Sequence, residues 1–323
     1  MEKNIIRQMY CDENSIKYNS VIDYSQMINK IKFNNMNNEI GENSFYNRED
    51  IRLITEEKYF SPNELGFKII GKPYLRIGAC NRQIALKLFG AISEDKDLNV
   101  YETIERNNLI KKQWEEKLKY CNLLIELPEP EIKNIFGLNI KSFEKYIIKD
   151  VLREKEYILM IKPVNDTSYM IKETIFTNKE IMNIHIPEIL MNIFYFKKPV
   201  KLLYVGKNNT EIFEEHNIGI KDGCLVENGK EYDYFNINDL ISDSLEMQQL
   251  IEENKIPNKS YLIDSILKIQ EVSEMVKYKI INNKSGNSIL NGEKYTSFQC
   301  TDCKYRKICE ELGDGIFESE NKK

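Results

Sequence analysis

EYILMIKPV (156–164) and VKLLYVG (200–206) mark the centre of this chain, with a helical pattern over about 178–196 between them. VKLLYVG is almost wholly apolar, which predicts a strand buried on both faces near the centre of a sheet. A strand, a helix and a second strand in succession predict an α/β or α+β core.

Further strands are predicted upstream of these segments. EIKNIFGLNIKSF (131–143) and KYIIKDVL (145–152) alternate apolar and polar residues and are separated by short charged turns. Alternation with a period of two indicates half-buried strands. Together with 156–164, these segments predict an antiparallel meander.

Helices are predicted on both sides of the strands. Ile110, Trp114 and Leu118 repeat every fourth residue within 101–120, which is typical of an amphipathic helix. A helix is expected to start at Ser61-Pro62-Asn63-Glu64, which has the form of a capping box. Others are predicted over 80–88, 238–253 and 261–281.

The chain divides into four predicted regions. Residues 1–60 form a polar, Asn-rich arm, and 61–122 form a helical region. Residues 123–235 form the core sheet, and 236–323 form a second helical region. The expected fold is therefore a central mixed sheet flanked by helices.

Composition excludes several classes of protein. The net charge of −5, from 46 basic and 51 acidic residues, excludes a generally basic nucleic-acid coat but allows a local basic groove. The sequence has no apolar run of about 18 residues, so we expect no membrane partner. Its first residues lack an apolar signal core, so we expect a cytoplasmic protein.

The cysteines predict a metal centre. Cys300, Cys303 and Cys309 form a C-x2-C-x5-C cluster, and Cys80 lies 220 residues earlier. Three clustered thiolates can share one metal centre, and zinc and iron–sulfur sites both favour a fourth ligand. If Cys80 supplies it, the centre ties the start of the fold to its end. The residues alone do not separate zinc from [4Fe–4S].

These segments resemble a known family. CNRQIALKL (80–88) is similar to the C-P-R-x-x-x-x-x-L helix that opens RecB-like nucleases of the PD-(D/E)XK superfamily, and CTDCKYRKIC (300–309) is similar to the closing cysteine segment of their CRISPR-associated and phage iron–sulfur relatives. KLLYVGKNNTEIFEEHNI (201–218) is similar to a late strand of the same proteins. The resemblance spans about 73–310. It implies a restriction-endonuclease-like fold and a [4Fe–4S] cluster on the four cysteines, with zinc as the alternative.

The resemblance also implies a metal pocket on two adjacent strands, with an Asp on the first and E-x-K on the second. Carboxylates there hold Mg²⁺ or Mn²⁺ for phosphodiester cleavage. In this chain Asn139 aligns with the Asp, Met160 with the acid, and Lys162 with the lysine. On the preceding helix, Lys111 or Lys112 aligns with a His. The metal ligands are therefore predicted to be lost, with Lys162 as a remnant.

Three functions follow as hypotheses. The first is a degenerate nuclease that binds DNA through Arg82, Lys111, Lys112 and Lys162, as an accessory module in replication, repair or phage and defence processes. The second is an active Mg²⁺- or Mn²⁺-dependent DNA exonuclease with relocated acids, for which the candidates are Glu126, Glu129, Glu131, Asp150, Glu154 and Glu156. The third is a metal-stapled structural subunit with a protein partner. His185-x2-Glu188 is further interpreted as a remnant of the substrate-side motif of these nucleases.

Overall fold

The structure is a computed structural model, and it describes residues 59–318 with short gaps. The gaps are 73, 89–97, 136–137, 151–153, 166–167, 169–170, 209–210, 254, 263–264, 302 and 314–316. The predicted polar arm lies outside the described residues except at its last two positions.

The described helices mostly follow the amphipathic patterns. They are α1 (Asn81–Leu88), α2 (Leu98–Tyr120), α3 (Ile186–Phe196), α4 (Ile237–Glu252), α5 (Ile269–Lys277), α6 (Asn283–Leu290), α7 (Phe298–Thr301) and α8 (Arg306–Leu312). A 3-10 turn, Asn183–His185, leads into α3. Pro187 in the first turn of α3 suits that position, because its missing N–H would have no intrahelical partner.

Thirteen strands are described. They are β1 (Gly66–Lys68), β2 (Arg76–Gly78), β3 (Leu124–Glu126), β4 (Lys133–Ile135), β5 (Leu138–Ile140), β6 (Tyr146–Asp150), β7 (Lys155–Val164), β8 (Val200–Gly206), β9 (Ile212–Lys221), β10 (Cys224–Glu227), β11 (Lys230–Asn236), β12 (Lys255–Ile256) and β13 (Phe317–Glu318).

Seven of these strands form one mixed sheet in the order β11-β10-β9-β8-β7-β6-β3. β7 and β8 are parallel, with α3 in the connection between them, and the other pairs are antiparallel. The central strand β8 is buried at every residue. Its predicted central position is confirmed, because a strand covered on both faces needs apolar side chains on both.

Helices cover both faces of the sheet. On one face, Ile110, Trp114 and Leu118 of α2 pack against alternate side chains of β6, β7 and β8. On the other, α3 and α4 pack with the β1–β2 hairpin in a larger apolar core. That core draws residues from all three predicted regions between 61 and 323. The predicted mixed sheet flanked by helices is confirmed.

Three local expectations are corrected. The helix expected at Ser61 is a single 3-10 turn, Pro62–Glu64, because Leu65 is already extended and β1 follows. Among the described residues of segment 261–281, the helical part is only the shorter α5. The strands of EIKNIFGLNIKSF form the separate β4–β5 hairpin and pair with none of the strands described in the main sheet.

Candidate functional site

A cleft of about 720 Å³ opens beside β7, where its pairing changes. β6 pairs with β7 only over Lys155–Ile158, and β8 pairs with β7 over Ile158–Val164. The continuation of β7 past Ile158 therefore has an edge that no described strand pairs with. The cleft lies at this edge, between α2 on one side and α3 on the other.

Two glutamates line the cleft, and Lys162 of β7 forms an ion pair with one of them. The Nζ of Lys162 lies 2.5 Å from Oε2 of Glu188 on α3, and both side chains are only about one-seventh exposed (16% and 14%). Glu144, which precedes β6, lines the same cleft as Glu188. The connection to β6 and the helix α3 thus each bring one carboxylate to the cleft, and β7 supplies the lysine that pairs with Glu188.

The protonation of Glu144 is set by its surroundings. Burial, followed by the charge of Glu188, raises the pKa of Glu144 to about 7, and Lys162 and Lys111 only partly oppose this. A carboxyl group that gains and loses its proton near neutral pH is typical of functional sites, where burial and like charges act together. Glu144 was missed by the sequence analysis, and the one available signal is its place directly before an apolar strand.

His185 lies next to these charges and is held neutral. Its Nδ1 is 2.9 Å from the Tyr204 hydroxyl oxygen, which accepts the Met182 backbone N–H at 3.0 Å. Burial and the charges of Lys162 and Lys111 lower the pKa of His185 well below its usual value. A neutral imidazole adds no positive charge to the cleft.

The α2 wall of the cleft carries both signs of charge. Lys111, Lys112 and Lys119 line it, and Lys145, which precedes β6, adds a fourth cation to the cleft. Glu115 and Glu116 on the same helix line it as well. The lining is therefore balanced in charge and is not a basic groove, so its affinity for phosphate depends on how its acids are neutralised.

The expected position of Asn139 is corrected. Asn139 is exposed on β5, which pairs with β4 and not with β7. The strand next to β7 is β6, so Asn139 does not stand beside Lys162 on a neighbouring strand. Met160 is fully buried in the core, where Asn192 Nδ2 approaches its sulfur at 3.7 Å.

The relocated acids expected from the sequence also lie elsewhere. None of them lines the cleft, whose acids are Glu115, Glu116, Glu144 and Glu188. Asp150 is fully buried, and Glu156 forms an ion pair with Lys198. The sequence singled out Glu188 only through its spacing from His185. Which acids share the cleft is a property of the chain path, which sequence spacing does not reveal.

The four predicted cysteines come together. All four line one small pocket of about 20 Å³. Cys80 lies directly before α1, Cys300 lies on α7, Cys303 lies between α7 and α8, and Cys309 lies on α8. None is in a disulfide, and each is partly buried. Burial and the three other cysteines raise the pKa of the Cys300 thiol to about 12. Charge that accumulates on four thiols at such a point is stabilised by a bound cation.

Arg82 belongs to this cysteine pocket and not to a nucleic-acid surface. Its side chain is fully buried and donates to the carbonyl oxygens of Pro257 at 2.8 Å and Gly313 at 2.6 Å. Its Nη1 is 3.7 Å from the sulfur of Cys309. The expectation that Arg82 contacts nucleic acid is therefore wrong, because α8 and the segment before α5 cover it.

Within the described ranges, no three His, Cys, Asp or Glu side chains are arranged to hold a single metal ion. None of the helices in those ranges combines the length and the apolar content needed to cross a membrane.

Searches with protein-family models, curated proteins and solved structures found no significant match to this chain.

Proposed function

We propose that this chain is a restriction-endonuclease-like protein that binds nucleic acid through the cleft beside β7 and has lost phosphodiester cleavage. The observation that carries the proposal is that Lys111 and Lys112 of α2 line one cleft with Glu188, whose charge is compensated by Lys162 of β7. The resemblance implied a substrate site on these same elements. An accessory role in DNA replication, repair, or phage and defence processes belongs to the proposal.

Phosphate binding in this cleft depends on the state of its acids. Lys162 compensates Glu188, and a proton on Glu144 removes a second negative charge below about pH 7. Lys111, Lys112, Lys119 and Lys145 then face the phosphates with less repulsion. Affinity for nucleic acid is expected to rise as pH falls through 7, and to fall with salt as counterions compete.

A second candidate function is metal-dependent cleavage with Glu144 and Glu188 as relocated carboxylates. It is favoured by the lining of the cleft, which contains both Glu144 and Glu188, and the charge of Glu188 contributes to the raised pKa of Glu144. Mg²⁺ is often bound by one or two carboxylates plus the phosphates of a substrate, so two acids suffice. The ion would supply Lewis-acid polarisation of the phosphate and activation of water. Lys162 would orient Glu188 and stabilise charge on the phosphate.

The cysteine pocket supports the cofactor that the resemblance implied. Zinc requires its sulfur ligands about 2.3 Å from one point, and no three described side chains meet that need. Four thiols line one pocket, which is the number of ligands that both a zinc ion and a [4Fe–4S] cluster favour, and the resemblance favours the cluster. Such a centre would join α1 to α7 and α8.

The first test measures binding and cleavage of end-labelled single- and double-stranded DNA with and without Mn²⁺. We compare the unmodified chain, Lys111→Ala/Lys112→Ala, and the control Lys221→Ala, whose lysine is exposed and paired with Glu231 away from the cleft. The double variant is expected to bind roughly tenfold more weakly, and the slope of log affinity against log salt should fall by about one for each phosphate that its lysines no longer neutralise.

The outcomes separate the two candidates. Binding without cleavage, weakened only in the cleft variant, supports the degenerate nuclease. Cleavage in Mn²⁺ that is abolished by Glu144→Gln and Glu188→Gln supports the second candidate. DNA binding that is equally strong in all three proteins overturns the assignment of the cleft, and absence of binding overturns both candidates.

A further inference from the structure

A second cavity, of about 210 Å³, lies apart from the cleft. It is bounded by β2, the turn before α3, the α5–α6 pair and the segments around 261 and 295–299. Gln299 lines both this cavity and the cysteine pocket. The cavity therefore adjoins the cysteine centre.

Aromatic side chains dominate the cavity. Tyr74, Tyr261, Tyr295 and Phe298 all line it. Phe298 is 45% exposed, so its ring is open to a ligand, whereas Tyr261 is buried and donates its hydroxyl to the carbonyl of Gly78 at 2.6 Å. Burial raises the pKa of Tyr261 and Tyr295, so both phenols stay neutral. An aromatic wall with one exposed ring is suited to stacking a flat ligand.

The charges at this cavity are already compensated. Arg76 is buried and lies 2.7 Å from Asp243, and Lys279 is ion-paired with Glu180. Lys279 shares Glu180 with Lys230, and a phosphate or carboxylate ligand would have to displace an existing ion pair to reach a cation among the described residues that line the cavity. These pairings favour a neutral ligand.

Two side-chain amides supply hydrogen bonds. Asn183 donates its Nδ2 to the carbonyls of Tyr278 and Lys279 at 2.8 and 3.2 Å, and among the described residues nothing donates to its Oδ1. Gln299 accepts from Ser297 through Oε1, which leaves its Nε2 as a donor. An acceptor and a donor beside an aromatic wall match the edge and face of a nucleobase.

We propose that this cavity is a nucleobase-binding subsite that holds one unstacked base of a single strand, with the base stacked on Phe298. The inference rests on the proposed nucleic-acid function and adds single-strand recognition to it. Asn183 lines the cavity and Glu188 lines the cleft. Asn183 lies in the 3-10 turn that leads into α3, five residues before Glu188, and such a segment advances roughly 8 to 10 Å, so a strand held in the cleft reaches the cavity within a few nucleotides.

The test uses Phe298→Ala with Leu290→Ala as the matched control. Both side chains are apolar and about half exposed (45% and 48%), but Leu290 does not line the cavity. The probes are a short deoxyadenosine oligonucleotide, the same backbone with abasic sites, and free adenosine. Binding is followed by anisotropy for the oligonucleotides and by amide chemical shifts for adenosine.

The expected result is about a tenfold loss of oligonucleotide affinity in Phe298→Ala, no loss in Leu290→Ala, and equal affinities of all three proteins for the abasic strand. Equal loss on the abasic strand, or no loss on either strand, overturns the subsite. If no strand binds, the proposed function fails. In that case, amide chemical-shift changes with adenosine that are lost in Phe298→Ala would still support a site for free nucleosides. If adenosine causes no such changes, the inferred subsite is wrong as well.

Discussion

At the scale of single residues, the candidate site depends on groups whose charges offset one another. Lys162 meets Glu188, and Glu144 lies within the field of both. A lysine in such a place is held by its acid partner, and it exchanges that partner for a phosphate only when the acid finds another cation or a proton. We therefore expect the charge of the cleft to change with pH.

Glu144 is expected to make the stability of the folded protein pH-dependent. Its pKa is about 7 in the folded chain and near 4.5 in an unfolded one, so between these pH values the native state binds more protons. The free energy of unfolding then falls as pH rises from about 4.5 to 7, by up to about 1.4 kcal/mol per pH unit. Urea unfolding in EDTA at several pH values measures this.

Glu144→Gln should flatten that part of the pH profile. Glu116→Gln, at an exposed position on the wall of the same cleft, should leave the profile as it is. If the two variants have the same pH profile as the unmodified chain, the raised pKa of Glu144 is wrong.

At the scale of elements, Arg76 connects three of them through a buried ion pair and a hydrogen bond. Arg76 of β2 meets Asp243 of α4 at 2.7 Å and donates to Asn81 Oδ1 of α1 at 2.6 Å. The side chains of Arg76 and Asp243 are almost fully buried (1% and 4% exposed). The pair fixes α1, and with it Cys80 and Arg82, against the rest of the fold.

Arg76→Met is expected to destabilise the protein by about 3 to 5 kcal/mol, because Asp243 is left buried without its closest cation. The double variant Arg76→Met/Asp243→Leu should recover much of that loss. Lys221→Ala, which breaks an exposed pair, should cost less than about 1 kcal/mol. Chemical denaturation of the variants measures all three. If Arg76→Met is no less stable than Lys221→Ala, this account is wrong.

At the scale of the whole molecule, the cysteine pocket connects residues 220 positions apart, Cys80 and Cys300. Closing so long a loop carries a large entropic cost, and a metal centre that binds only the folded chain adds its binding energy to folding. We expect anaerobically purified protein to contain about four irons and four sulfides per chain.

Cys303→Ser should lower the iron content and the melting temperature together. Cys224→Ser, on β10 and outside the pocket, should change neither. If the protein contains one zinc per chain, the zinc alternative is correct and the cluster is not. If the purified protein contains no metal and Cys303→Ser leaves the melting temperature unchanged, the proposal of a metal centre is wrong.

Much of this architecture follows from local pattern. The apolar run of β8, the four-residue repeat of Ile110, Trp114 and Leu118, and the helix after Cys80 are visible in the sequence, because burial imposes the period of each element on its side chains. The clustering of Cys300, Cys303 and Cys309 is equally local. Their meeting with Cys80 was predicted from ligand number and from the resemblance.

Strand neighbours and cleft residues are a different matter. Asn139 and Lys162 both lie on strands, but only the chain path shows that β6, not β5, borders β7. Arg82 was expected to face nucleic acid, yet distant carbonyl groups of Pro257 and Gly313 enclose it. Local sequence is enough to specify the elements and the clustered cysteines, because these depend on residues close in the chain. Which acids and lysines share a cleft emerges only when the chain folds, because those contacts join residues far apart in sequence, whose spacing carries no record of them.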